Sequence, residues 1–176
     1  MTAYSKNTNA KLNALGIYQL AGGLIGVAMV VRLIYNFPDW PPKYYLMICF
    51  VFMLYMYSVF CGILVLRKSN IALRHSLINQ YLQLINFYIG GFGFTFISGS
   101  SLSVGVDLTN GFIVDFHFTL LSDFAIRLAT DSPTIAIYIN TIALAIIIFI
   151  NNLNKKILAE REERMVADIG SMQTNI

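Results

Sequence analysis

Asp107, Asp115, His117, Asp123 and Arg127 form the one cluster in this chain whose side chains could act together on a bound molecule. Three carboxylates and an imidazole could hold a cation or share a proton. Their spacing, however, is that of alternating solvent-facing positions on extended strands. No second histidine joins them, and three sparse acids are too few for a calcium cage. Serine and threonine abound, yet no elbow or triad context surrounds them. Gly90-Gly91-Phe92-Gly93 sits inside a long apolar stretch and is not a phosphate loop. Cys49 and Cys61 lie in a second such stretch, about 18 Å apart along a helix at 1.5 Å per residue, too far to pair. They are expected to behave as small apolar groups. These residues predict no catalytic group, no metal and no cofactor, and hence no enzyme.

A second set of polar residues lies within the apolar stretches. Asn79, Gln83, Asn86, Gly90 and Gly93 recur at three- and four-residue spacing and line one face if their stretch is helical. Amides in an apolar medium need partners. Gln19, Gly22, Gly23 and Gly26 of the first stretch are the expected ones, Gly22 and Gly26 making a Gly-x-x-x-Gly contact face. The stripe is read as an interhelical seam. The alternative is a polar path in a small oligomeric channel or carrier, although no charge lies deep in the stripe to support a proton relay or ion pump.

The elements that must position these residues follow from composition. The chain has 176 residues, 57% hydrophobic and 12% charged, against about a quarter charged in soluble domains. Four apolar spans, 12–35, 44–66, 77–97 and 135–153, each approach the roughly 20 residues that a helix needs to cross a bilayer. Lys6 and Lys11 precede the first span, Arg67, Lys68 and Arg74 join the second to the third, and Lys155, Lys156, Arg161 and Arg164 follow the fourth. That bias predicts cytoplasmic termini and an extracytoplasmic 100–133 segment. Plentiful isoleucine, asparagine, phenylalanine and tyrosine, with no Asn-x-Ser/Thr sequon in the outer segments, fit a prokaryotic cytoplasmic membrane. A net charge of +3 gives no ground for a nucleic-acid partner. Pro38, Pro41 and Pro42 stop helix propagation between the first two spans. Tyr35, Phe37, Trp40, Tyr44 and Tyr45 form an aromatic belt there, and Arg32 reaches toward headgroups or Asp39. The fourth span is expected to continue as a cytoplasmic helix to about residue 169, with Glu160 four before Arg164 on a solvated face. A flexible tail, 170–176, follows.

The 100–133 segment alternates apolar and polar residues, which predicts strands at 102–108, 112–119 and 123–129. An amphipathic interfacial helix over 112–128 is the competing reading, and it fits the alternation less well. A three-residue loop, Thr109-Asn110-Gly111, aligns Leu108 with Phe112, Val106 with Val114, Val104 with Phe116 and Leu102 with Phe118, and puts glycine where a left-handed residue is required. The same logic sets Phe124 opposite Phe118, Ile126 opposite Phe116, and Arg127 across from Asp115 as a charge pair. The predicted fold is an all-α integral membrane protein with four transmembrane helices and a small antiparallel β-meander between helices 3 and 4. Its apolar face, Val104, Val106, Val114, Phe116 and Ile126, would need a cover. The expected role is a non-enzymatic accessory or assembly subunit in the lipid bilayer that docks a protein partner or another copy of itself through that face.

Overall fold

The structure, a computed structural model, describes residues 4–36, 41–127 and 134–173. Expectations that fall on Phe37, Pro38, Asp39 and Trp40, on 128–129, on Asp131 and on 174–176 lie outside the described residues. The element order is α1 (Lys6–Asn36), α2 (Pro42–Leu66), α3 (Ala72–Leu84), β1 (Ile85–Ile89), β2 (Phe92–Ile97), β3 (Ser101–Asp107), β4 (Ile113–Thr119), β5 (Asp123–Arg127), β6 (Ile135–Asn140) and α4 (Thr141–Gln173). Among the described residues there are thus four helices with an antiparallel sheet between the third and fourth, and α1, α2 and α4 are long and apolar enough to cross a membrane.

Two of the four predicted spans are only partly helical. The 77–97 stretch leaves its helix at Leu84 and becomes the β1–β2 hairpin. From Ile85 onward β-branched and aromatic residues alternate with small or polar ones. Gly90 and Gly91, at φ +55° and +82°, close the two-residue turn that such a hairpin requires. Holding three glycines in a helix would cost up to about 1 kcal/mol each. The 135–153 stretch begins as β6, where Ile135, Ile137 and Ile139 alternate with Ala136, Tyr138 and Asn140. It turns helical only when the Asn140 carbonyl Oδ1 accepts the N–H groups of Ile142 and Ala143 as an N-cap. At its far end α4 runs on through Gly170 to Gln173, where the sequence predicts a tail.

The sheet therefore has six strands rather than three, in the order β4-β3-β6-β1-β2-β5. The β3–β4 register is the one the three-residue loop predicts, with Leu102 opposite Phe118, Val104 opposite Phe116 and Val106 opposite Val114. The third predicted strand is displaced: β5 pairs with β2, Phe124 opposite Phe96 and Ile126 opposite Phe94. It found a longer apolar neighbour in a segment that the sequence assigns to a helix.

β4 and β5 are the two edges, yet only Leu120, Leu121 and Ser122 connect them. Six strands laid flat would hold the edges about 24 Å apart at 4.8 Å per strand, whereas extended chain from Thr119 to Asp123 reaches about 14 Å at most. The sheet must curl toward closure. It resembles a small barrel left unzipped between β4 and β5.

Two apolar clusters fix this sheet to the helices. The β2 and β5 side chains Phe94, Phe96, Phe124 and Ile126 pack on Val27, Val30, Ile48, Val51 and Tyr55, in the halves of α1 and α2 nearest their connection. Tyr55 is fully buried, 5.1 Å from the Phe96 ring, and donates its hydroxyl to the Ile97 carbonyl. At the opposite end, Leu12, Leu15, Val65, Ala72, Ile150, Leu153 and Ile157 close an apolar core among all four helices. The sheet thus stands beside one half of the α1–α2 hairpin, and α3 and the first turns of α4 beside the other.

Candidate functional site

Strand alternation sorts the sheet into two chemically opposite faces. The ladders place Leu102, Val104, Val106, Val114, Phe116, Phe118, Ile135, Ile137 and Ile139 on the same side as Phe94 and Ile126. Asn86, Tyr88, Thr95, Ser103, Asp115, His117, Asp123, Arg127 and Tyr138 share the other side and line a cavity of about 290 Å³. Because the sheet curls, this polar face is concave and forms a cup. Asp115 and His117 come from one edge strand, Asp123 and Arg127 from the other.

Asp115 and Arg127 are not the predicted cross-strand pair. Asp115 lies opposite Gly105 and Arg127 opposite Gly93, on strands at opposite edges. Both nevertheless line the same cavity, because curling brings the edges round. Asp115 Oδ2 accepts the Tyr138 hydroxyl at 3.2 Å. The Arg127 guanidinium lies 4.6 Å from the centre of the Tyr88 ring, a cation–π contact. Tyr88 shares a 2.9 Å hydrogen bond with Thr95. At the helix-proximal floor, Asn86 donates weakly to Ser103 at 3.4 Å, while its own Oδ1 has no partner although the residue is 3% exposed. Asn140 Nδ2 and Ser101 Oγ, buried on the same face of neighbouring strands, also lack partners. Among the described residues no group of three or more His, Cys, Asp or Glu is placed to hold a metal.

Below the floor lies the amide seam. Gln19, Asn79 and Gln83 are buried in it: Ser76 donates to Gln19 Oε1, Asn79 to Ser58, Gln83 to the Asn79 carbonyl, and Ser98 N–H to Gln83 Oε1. Gly22 abuts the β2–β3 turn rather than α3, and its carbonyl accepts the Ser122 hydroxyl. Gly26 receives the Tyr55 ring of α2. Asn86 belongs to the cup instead, and Gly90 to an exposed turn, since neither is helical. Tyr88, Thr95, Ser103 and Tyr138 were missed as cup residues. Their signal was alternation within stretches whose length and hydropathy already satisfied a helix.

Of the predicted docking face, Val114 and Phe116 are exposed, Phe116 by 67%, and Val104 and Val106 are half-covered. Val104, Val106 and Val114, with Ile135, Ile137 and Ile139, border an apolar depression of about 400 Å³ on the convex side. Ile126 is covered by the α1–α2 hairpin.

The predicted solvated face at Glu160 is instead a contact. Its carboxylate accepts the Ser5 N–H and the Ser5 and Thr8 hydroxyls at 3.2, 2.7 and 2.7 Å, and lies 3.9 Å from Lys156 rather than pairing with Arg164. Arg161 donates to Tyr4 and Asn70. Comparison with known protein families, with curated proteins and with solved structures finds no match for this chain.

Proposed function

We propose a non-enzymatic multi-pass membrane protein that serves as an accessory or assembly subunit and docks an apolar membrane-spanning segment of a partner protein. The observation that carries this reading is the uncovered apolar face running across β1, β6, β3 and β4. That face stands at the height of the apolar outer halves of α1 and α2, so hydrocarbon surrounds it when those helices span a bilayer. The α3–β1 and β6–α4 segments then cross the membrane part as helix and part as strand, at about 1.5 and 3.3 Å per residue respectively. Apart from the Phe116 N–H, which Asp115 Oδ1 accepts at 2.8 Å, lipid alone leaves the outward N–H and C=O groups of edge strand β4 unbonded, which hydrocarbon tolerates poorly, whereas a protein surface can cover them. The lysines and arginines at the opposite end favour cytoplasmic termini, with the sheet toward the outside of a prokaryotic cytoplasmic membrane.

The competing reading, a channel or carrier using the amide stripe, has the buried seam in its favour. Its path ends at the apolar core around Leu12, Leu15, Val65 and Ile150. A photo-crosslinker at Phe116, compared with one at exposed Leu46 on α2, tests the proposal in native membranes. A single protein adduct, reproducible and specific to position 116, is expected. Adducts to lipid alone, or the same adducts at both positions, would overturn it.

A further inference from the structure

The N–H of Leu108, just past β3, donates to the Ile135 carbonyl of β6. Even-numbered residues of β3 therefore face β6, and odd-numbered ones face β4. Opposite those odd residues lie Ile113, Asp115, His117 and Thr119. Val114, Phe116 and Phe118 must then turn their N–H and C=O groups away from the sheet. The Phe116 N–H agrees, because Asp115 Oδ1 accepts it at 2.8 Å. β5, the other edge, shares no ladder with β4 among the described residues. From Ile113 to Phe118 the strand is exposed, and it contains neither the lysine nor the proline with which open edges are commonly protected.

These groups call for an extended partner, and β4 is complementary to itself. Antiparallel pairing about a two-fold axis through Phe116 matches Ile113–Thr119 with a second copy over its whole length. Val114 then lies opposite Phe118 of the second copy and Phe116 opposite Phe116, all on the apolar side. These are the pairs whose free backbone groups exchange both N–H···O=C bonds. On the polar side Asp115 lies opposite His117, twice over, at the non-hydrogen-bonded positions where Cα atoms stand about 4.5 Å apart and side chains meet most closely. An imidazole in either protonation state has an N–H to offer a carboxylate. Asp115 Oδ1 yields the Phe116 N–H to a carbonyl of the second copy and accepts the imidazole in its place. Slipping the register by one residue sets apolar side chains against polar ones. Moving the axis to Asp115 opposes two carboxylates, and moving it to His117 sets Asp115 against Thr119. We infer, resting on the reading above that this edge needs a protein cover, that β4 pairs with β4 of a second copy to make one continuous sheet across a two-fold homodimer. The apolar depression beside Ile135, Ile137 and Ile139 stays free for the membrane-spanning segment of another protein.

The test uses the full chain with Cys49→Ser, made with either Asp115→Cys or His117→Cys on differently tagged copies and oxidised in native membranes. Co-expressed, the two variants are expected to give roughly tenfold more disulfide-linked dimer than either gives alone, because identical positions lie diagonally, about 7–8 Å apart and beyond ordinary disulfide reach. Independently, Phe116→Pro removes an N–H that the β3–β4 ladder does not use. It should convert the dimer seen by native mass spectrometry in mild detergent to a monomer, with Phe116→Leu still dimeric. If the proline variant loses its thermal unfolding transition, the cysteine pattern decides alone. No linked dimer in membranes, equal linking by each variant alone, or a dimer that survives Phe116→Pro would overturn the pairing. A different protein captured by the photo-crosslinker at Phe116, without any link between β4 strands, removes the homodimer and keeps the docking role; the reverse pattern removes only the docking role.

Discussion

Gly22 shows how narrowly a single position can be set. A Cβ there would lie 2.7 Å from the backbone of Ser98 and Gly99, a contact with no flexible partner to yield. Gly22→Val is expected to lower stability by about 1–3 kcal/mol, the usual cost of overpacking. Ala21→Val, on the exposed side of the same helix turn, should leave the thermal midpoint in detergent unchanged. Glu160 makes a different kind of single-residue contact, beyond the apolar run of α4 that ends at Leu153. Hydrogen bonds from the Ser5 hydroxyl and then the Thr8 hydroxyl, at the positive end of the α1 dipole, hold its carboxyl from the ordinary 4.5 down to about 2. A folded-state value below the unfolded one means that the carboxylate stabilises the fold above about pH 4.5. That contribution fades as the pH falls toward 2. Thermal midpoints of the parent and Glu160→Gln should accordingly differ most near neutral pH and converge on acidification. A gap that stays constant down to pH 2 would refute the assignment.

β4 is the element on which the two-faced sheet can be tested most directly, because both of its sides are open. In a Cys49→Ser background, Phe116→Cys is expected to react faster with a membrane-soluble maleimide and His117→Cys with a charged, water-soluble one. Equal rates at both positions would show that the strand does not separate two media. This strand was also the most legible from sequence. Val104, Val106, Val114 and Phe116 pair across a connection of only five residues, Leu108 to Phe112, so alternation and turn chemistry settle the register locally, although the expected Leu108–Phe112 pair is not part of the ladder. β1 and β6 were not legible, since Ile85–Ile89 and Ile135–Asn140 are short, apolar and continuous with true helices. At that length, hydropathy cannot distinguish a strand from the end of a span. Asn79 and Gln83 belonged to the predicted seam because they lie before Leu84; Asn86, three residues further on, obeys a different period. The partner of β5 depended on β2, so misreading one element displaced the next.

At the scale of the molecule, a polar cup, an amide seam and an apolar helix core are stacked along one axis beside the α1–α2 hairpin. Of the cup residues, Asp115, His117, Asp123 and Arg127 are legible in the sequence, but only as a surface cluster with Asp107, which does not line the cup; nothing local to Asp115 or Arg127 records that the sheet curls. The closing strand comes from far along the chain. β6 lies between β3 and β1, so until residues 135–140 have been made, β4-β3 and β5-β2-β1 are two separate sheets without a common ladder. During synthesis the chain has both walls of its cup before it has the piece that joins them. Ribosome-bound chains exposed only through residue 134 are expected to be cut readily within 85–127, and chains exposed past 153 to resist. The molecule is completed from its middle, and its last strand is its keystone.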